Sequence, residues 1–138
     1  MSKKIKTNLL NGSNLALIGD AYYELRVRLF LLEKGVTKDK ELKKESIKFV
    51  SANAHFEIYD KIKEQLNEEE QKIFLRGRNN APSSHRKNLD RGKYVVSSGL
   101  EAVIGYLYLE ERFERLDYLF SLIFNEEEGK WLFMVKTQ

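Results

Sequence analysis

The sequence predicts an all-α protein. Three observations carry that expectation: a single Pro among 138 residues, long stretches rich in Leu, Glu, Lys and Ala, and apolar residues that recur at three- and four-residue steps. Leu, Glu, Lys and Ala lose little rotamer freedom in a helix, and the three-to-four spacing places apolar side chains on one helical face. With 42% of residues apolar, the chain can build a sizeable core, and the expectation is one domain over 1–138.

The first helix is expected from about Asn14 to Lys34, where Leu17, Ile18, Ala21, Leu25, Leu29 and Leu32 recur and Gly35 follows as a C-cap. From Asp39 to Leu66 the pattern is again helical, with Leu42, Ile47, Phe49, Val50, Phe56, Ile58, Tyr59, Ile62 and Leu66 as core candidates. Ser51 can cap a fresh start and split that stretch in two. A short helix should begin near Asn67, where a capping side chain and Glu68, Glu69 and Glu70 suit unpaired N–H groups, and run toward Arg76. Gly77 to Gly92 is rich in turn formers and reads as a long exposed loop. Helices are expected again over Tyr94–Glu111 and Phe113–Asn125, and the pattern does not place the tail 126–138.

Composition narrows the chemistry. The absence of Cys excludes disulfides and thiolate metal sites, and two His residues argue against zinc, so any metal here should be a hard cation on oxygen ligands. No apolar run is long enough for a signal peptide or a membrane span, which predicts a cytoplasmic protein. Net charge is only +3, yet Arg76 to Lys93 holds six Lys/Arg against one acid, Asp90, leaving the rest slightly acidic. One concentrated basic segment on an acidic body is the layout expected of a protein that grips a polyanion at one place.

Two acids stand out. Asp20 lies inside ALIGDAYYEL and Glu101 inside GLEAVIGYLYL, each among small and apolar residues with no Lys or Arg within one turn. A charge in that setting is costly unless paired or bound to metal. Gly19 and Ala21 flank Asp20, and Ala102 and Gly105 lie by Glu101, so the two helices can approach closely with their carboxylates meeting between them. Such a pair suits Mg²⁺ or Mn²⁺. Spacing alone leaves a second reading open, in which each acid caps or pairs with a neighbouring element through Arg26, Arg28 or a basic loop residue. Glu24, one turn after Asp20, is either a further member of the site or a surface partner of Arg28. His55, beside Phe56 and Tyr59, reads as a partly buried structural residue.

At LALIGDAYYEL and LEAVIGYLYLE the chain resembles the catalytic domain of ribonuclease III, whose signature has an L-G-D-A core in one helix and an E-A-x-x-G core in another. RGRNNA, the basic loop, the length and the ending soon after the last helix look like the Mini-III branch, which works without a separate double-stranded-RNA-binding domain. The resemblance spans about Leu9 to Asn125. It implies that Asp20 and Glu101 are the catalytic acids that hold Mg²⁺. Full-length enzymes carry further acids where this chain has Ser13, Ala16 and Ser98, which puts a second tightly held metal in doubt.

The activity implied is hydrolysis of double-stranded RNA to 5′-phosphate and 3′-hydroxyl ends, by a homodimer whose two sites cut the two strands. The resemblance further implies maturation of large-subunit (23S) ribosomal RNA, helped by a large-subunit ribosomal protein. Duplex RNA should be met at phosphates and 2′-hydroxyls, because the A-form major groove is too deep and narrow for side chains. Arg76, Arg78, Asn79, Arg86 and Lys87 are the candidate RNA-binding residues. The alternative is a non-catalytic RNA-binding module of the same fold associated with the ribosome, against which the retention of both acids argues.

Overall fold

The computed structural model describes residues 5–81 and 91–136, and of 125–136 the backbone alone. Six α-helices follow a 3₁₀ turn at Thr7–Leu9: α1 (Gly12–Glu33), α2 (Asp39–Val50), α3 (Ala52–Ile62), α4 (Glu68–Asn79), α5 (Arg91–Leu109) and α6 (Phe113–Lys136). A second 3₁₀ turn, Lys63–Gln65, joins α3 to α4, and no strand occurs among the described residues. The all-α expectation holds.

Local signals set most of the boundaries. Asn11 caps α1 by accepting from the Asn14 amide at 2.8 Å, and Ser51 caps α3 by accepting from the Ala54 amide at 3.1 Å, dividing the second stretch where its sequence allows. Asn67 opens α4 with a reciprocal pair: its side chain accepts from the Glu70 amide, and the Glu70 carboxylate accepts from its backbone N–H. At the end of α1, Gly35 takes φ 91°, while the Val36 amide returns to the Leu31 carbonyl and the Gly35 amide to that of Leu32. A β-carbon disfavours that left-handed conformation, which is why glycine stands there.

Three expectations need correction. Gly77, Arg78 and Asn79 belong to α4 rather than to a loop, because Gly77 is buried against Ala102 and Ser98 of α5 and serves close packing rather than a turn. Helix α5 starts at Arg91, ahead of Tyr94, and α6 runs past Asn125 to Lys136. Ile47, a core candidate, is 62% exposed, since α2 buries Ser46 and Phe49 instead.

Helix α5 is the axis of the bundle, packed by α1, α4 and α3 and burying Leu100, Ala102, Val103, Ile104 and Leu107. Its closest neighbour is α1. A β-carbon on Gly19 would overlap the Glu101 backbone oxygen, and one on Gly105 would overlap that of Leu15, so two glycines let the backbones touch. The buried face of α1 is Leu15, Ala16, Gly19, Tyr23, Val27 and Leu31. The apolar stripe that marks this helix in the sequence, Leu17, Ile18, Leu25, Leu29 and Leu32, points outward and is 38% to 68% exposed. Helix α1 is therefore apolar on two faces, only one of which is buried among the described residues.

Candidate active site

The α1–α5 crossing brings the two anomalous acids to one place. Asp20, Leu17, Ala16 and Ser13 of α1, Gly77 of α4, Ala81, and Tyr94, Ser98 and Glu101 of α5 line an open cleft of about 270 Å³. Ser13, Ala16 and Ser98, the positions at which the chain departs from the acidic pattern, all lie on its walls. Small neutral side chains there leave the cleft open beside Asp20 and Glu101.

Two of the alternative partners, Arg28 and Arg26, are committed elsewhere, and the loop residues Arg86 and Lys87 lie outside the described residues. Arg28 pairs with Glu24 at 2.7 Å, so Glu24 takes the surface pairing. Arg26 donates to Asp117 at 3.0 Å and to the Tyr22 hydroxyl at 2.9 Å, with its guanidinium over the Phe120 ring. Among the described residues no Lys or Arg pairs with Asp20. Desolvation in the cleft and then the Glu101 charge push the Asp20 carboxyl above its ordinary range; His55 opposes them, and Glu24 adds a smaller upward push.

Glu101 is differently placed. Its side chain is 16% exposed, and its Oε1 accepts from the Ser97 hydroxyl at 2.9 Å and lies 3.2 Å from His55 Nδ1. His55, expected to be partly buried, is fully buried. It reaches from α3, its Nδ1 lies 3.0 Å from Ser97 Oγ, and the Tyr23 ring packs edge-on against it with centroids 4.3 Å apart. Sequence reasoning did not connect His55 or Ser97 with the site. Ser97 stands one helical turn before Glu101 and was discoverable from spacing, whereas His55 reaches Glu101 across 46 positions.

A hard divalent cation fits these residues. Two carboxylates face one cleft, and Asp20, raised first by desolvation and then by the Glu101 charge, is a group whose ionised form a cation would stabilise. No group of three or more His, Cys, Asp or Glu side chains suited to a metal occurs among the described residues, so a cation here would complete its shell with water or substrate oxygen.

Of the candidate RNA-binding residues, Arg78 and Asn79 are exposed at the end of α4. Arg76 is half-buried and donates to the Leu10 carbonyl, tying the segment before α1 to α4. Arg86 and Lys87 lie outside the described residues. No helix among the described residues is long and apolar enough to cross a membrane.

Residues 13–112 match the Ribonuclease III domain. The chain is similar to Mini-ribonuclease 3 of Streptococcus pneumoniae, 42% identical over 127 residues that cover 91% of this chain and 99% of that protein. It is similar also to Mini-ribonuclease 3 of Clostridium tetani, at 41% identity over 84% of this chain and 78% of the relative. A crystal structure of a Fusobacterium nucleatum protein superimposes with a TM-score of 0.79 at 30% identity, covering 91% of this chain and 99% of the other.

Proposed function

The chain belongs to the ribonuclease III family, among relatives named Mini-ribonuclease 3, and we propose that it is a Mg²⁺-dependent endoribonuclease that cuts double-stranded RNA. The observation that carries this reading is the convergence of Asp20 and Glu101 on one open cleft, with no basic side chain paired to Asp20 among the described residues. A module that only bound RNA would gain nothing from two carboxylates facing a polyanion.

Asp20 and Glu101 would hold Mg²⁺, or Mn²⁺ in its place. When bound, that ion would lower the pKa of a water and neutralise charge on the phosphoryl group; the proposed products carry 5′-phosphate and 3′-hydroxyl ends. The chain's own residues bind and orient. Ser13, Ala16, Gly77 and Ser98 keep the cleft walls small, so a phosphodiester can approach both carboxylates. No side-chain nucleophile is required.

Arg78 and Asn79 at the exposed end of α4, with Arg86 and Lys87, are the proposed phosphate and 2′-hydroxyl contacts. Arg76 contributes only with the part of its guanidinium that the Leu10 carbonyl leaves. The outward stripe Ile18, Leu25, Leu29 and Leu32 supports a homodimer, continued by a shallow hollow among Ile18, Ala21, Tyr22, Leu25 and Tyr108. Two copies supply the two sites that cutting both strands requires. The proposed substrate is the large-subunit ribosomal RNA precursor in the cytoplasm, with a large-subunit ribosomal protein as helper.

Incubation of the purified protein with an end-labelled RNA duplex tests the reading. Discrete double-strand cuts with Mg²⁺ and none with excess chelator are expected. Binding without cutting at any divalent cation concentration would replace it with the non-catalytic module.

A further inference from the structure

His55 contributes a polar contact that the fold does not need. It is fully buried in α3, and its Nε2 has no hydrogen-bond partner among the described residues. An apolar side chain of similar size would fill the same space against Tyr23 without burying an unsatisfied nitrogen. What an imidazole supplies here, and an apolar residue cannot, comes through Nδ1.

That nitrogen faces Ser97 Oγ at 3.0 Å and Glu101 Oε1 at 3.2 Å, while Ser97 Oγ stands 2.9 Å from the same Oε1. An ionised carboxylate only accepts, so the Ser97 hydroxyl donates to Oε1, and Nδ1–H donates to the free lone pair of Ser97 Oγ and to Oε1. Every hydrogen bond to Glu101 among the described residues therefore ends on one oxygen. Ser97 also precedes Glu101 by one helical turn, so helix α5 fixes the spacing of hydroxyl and carboxylate, and α3 brings the imidazole to both.

We propose that His55, bridged by Ser97, is the positioning residue of the site: it clamps Glu101 Oε1 so that Oε2 stays presented to the cleft for a divalent cation. This rests on the reading of Asp20 and Glu101 as cation ligands. Partners that orient a ligating carboxylate without touching the metal typically govern affinity by 10- to about 100-fold. Tyr23, itself fully buried, holds the imidazole plane from the other helix of the site.

The test is Mn²⁺ binding to the intact protein, followed by electron paramagnetic resonance of the free ion, with duplex cleavage and thermal melts on the same samples. His55→Leu should melt at or above the wild-type temperature, yet bind Mn²⁺ about 10-fold or more weakly and need correspondingly more Mg²⁺ for cleavage. His55→Asn, whose amide nitrogen lies as many bonds from the β-carbon as Nδ1, should recover most of that affinity. Ser97→Ala, which removes the bridging hydroxyl, should weaken binding in the same direction and serves should His55→Leu not fold. Asp20→Asn separates the two failures. If the wild type binds Mn²⁺ and Asp20→Asn does not, while His55→Leu and Ser97→Ala both match the wild type, the positioning role is overturned and the cation site stands. If Asp20→Asn binds as the wild type does, the cation site falls and this role with it.

Discussion

Gly19, the residue before Asp20, lies directly against the backbone carbonyl of Glu101, so the two acids are brought together by a contact that tolerates no side chain. Gly19→Ala should force α1 and α5 apart, at a cost of about 3 kcal/mol typical of overpacking at a tight crossing. Urea denaturation measures that loss. Because the same displacement separates the carboxylates, Mn²⁺ affinity should fall as well, and a variant with wild-type stability would show that the helices are not in contact there.

The acids were legible in the sequence because each is an ionisable residue inside an apolar helical pattern with small neighbours, a conflict that local reasoning detects. Ser51 and Asn67 were legible because capping is also local. Gly77 was not, since a glycine that admits a neighbouring helix looks in sequence like one that makes a turn. Periodicity marked α1 as a helix but could not choose between its two apolar faces, because the residues that cover Leu15 and Tyr23, among them Gly105 of α5, His55 of α3 and Phe120 of α6, are distant in sequence. The contact of His55 with Glu101 is hidden for the same reason.

A second prediction concerns Glu70, which is fully buried and held by Arg115 through two 2.8 Å hydrogen bonds. Arg115→Ala strands a carboxylate in the core and should cost about 3 kcal/mol or more. Adding Glu70→Gln to that variant removes the stranded charge while keeping the acceptor for the Asn67 amide, and should recover part of the loss. Chemical denaturation of the two variants compares them, and equal stability would mean that the buried charge is not the cause.

The raised pKa of Asp20 sets a pH dependence with a definite sign. A carboxyl whose folded pKa lies above its unfolded value binds its proton more tightly in the folded state, so its ionised form opposes folding. That opposition is fully present above the folded pKa and is relieved as pH falls through it toward the ordinary carboxylate range. Asp20→Asn should therefore be more stable than the wild type at neutral pH, with the advantage shrinking on acidification. Thermal melts across pH check this, and a stability difference that grew toward acid would reverse the sign.

The outward face of α1 yields a prediction about assembly. Leu25 and Leu29 are 52% and 46% exposed, so Leu25→Lys with Leu29→Lys should leave the fold intact while placing like charges on the proposed dimer face. Sedimentation velocity should show a dimer for the wild type and a monomer for this variant. An unchanged dimer would move the interface elsewhere.

The most direct measurement is the Mg²⁺-dependent cleavage rate of a labelled RNA duplex by Asp20→Asn and Glu101→Gln, each compared with the wild type at saturating RNA. Neither substitution changes size, and both lower the negative charge in the cleft, so folding and RNA binding should persist. Cleavage should fall by at least about 100-fold in each, as expected when a group acting on developing transition-state charge is removed. Either variant cutting the duplex at close to the wild-type rate would contradict the assignment of these two carboxylates as the centre of the site.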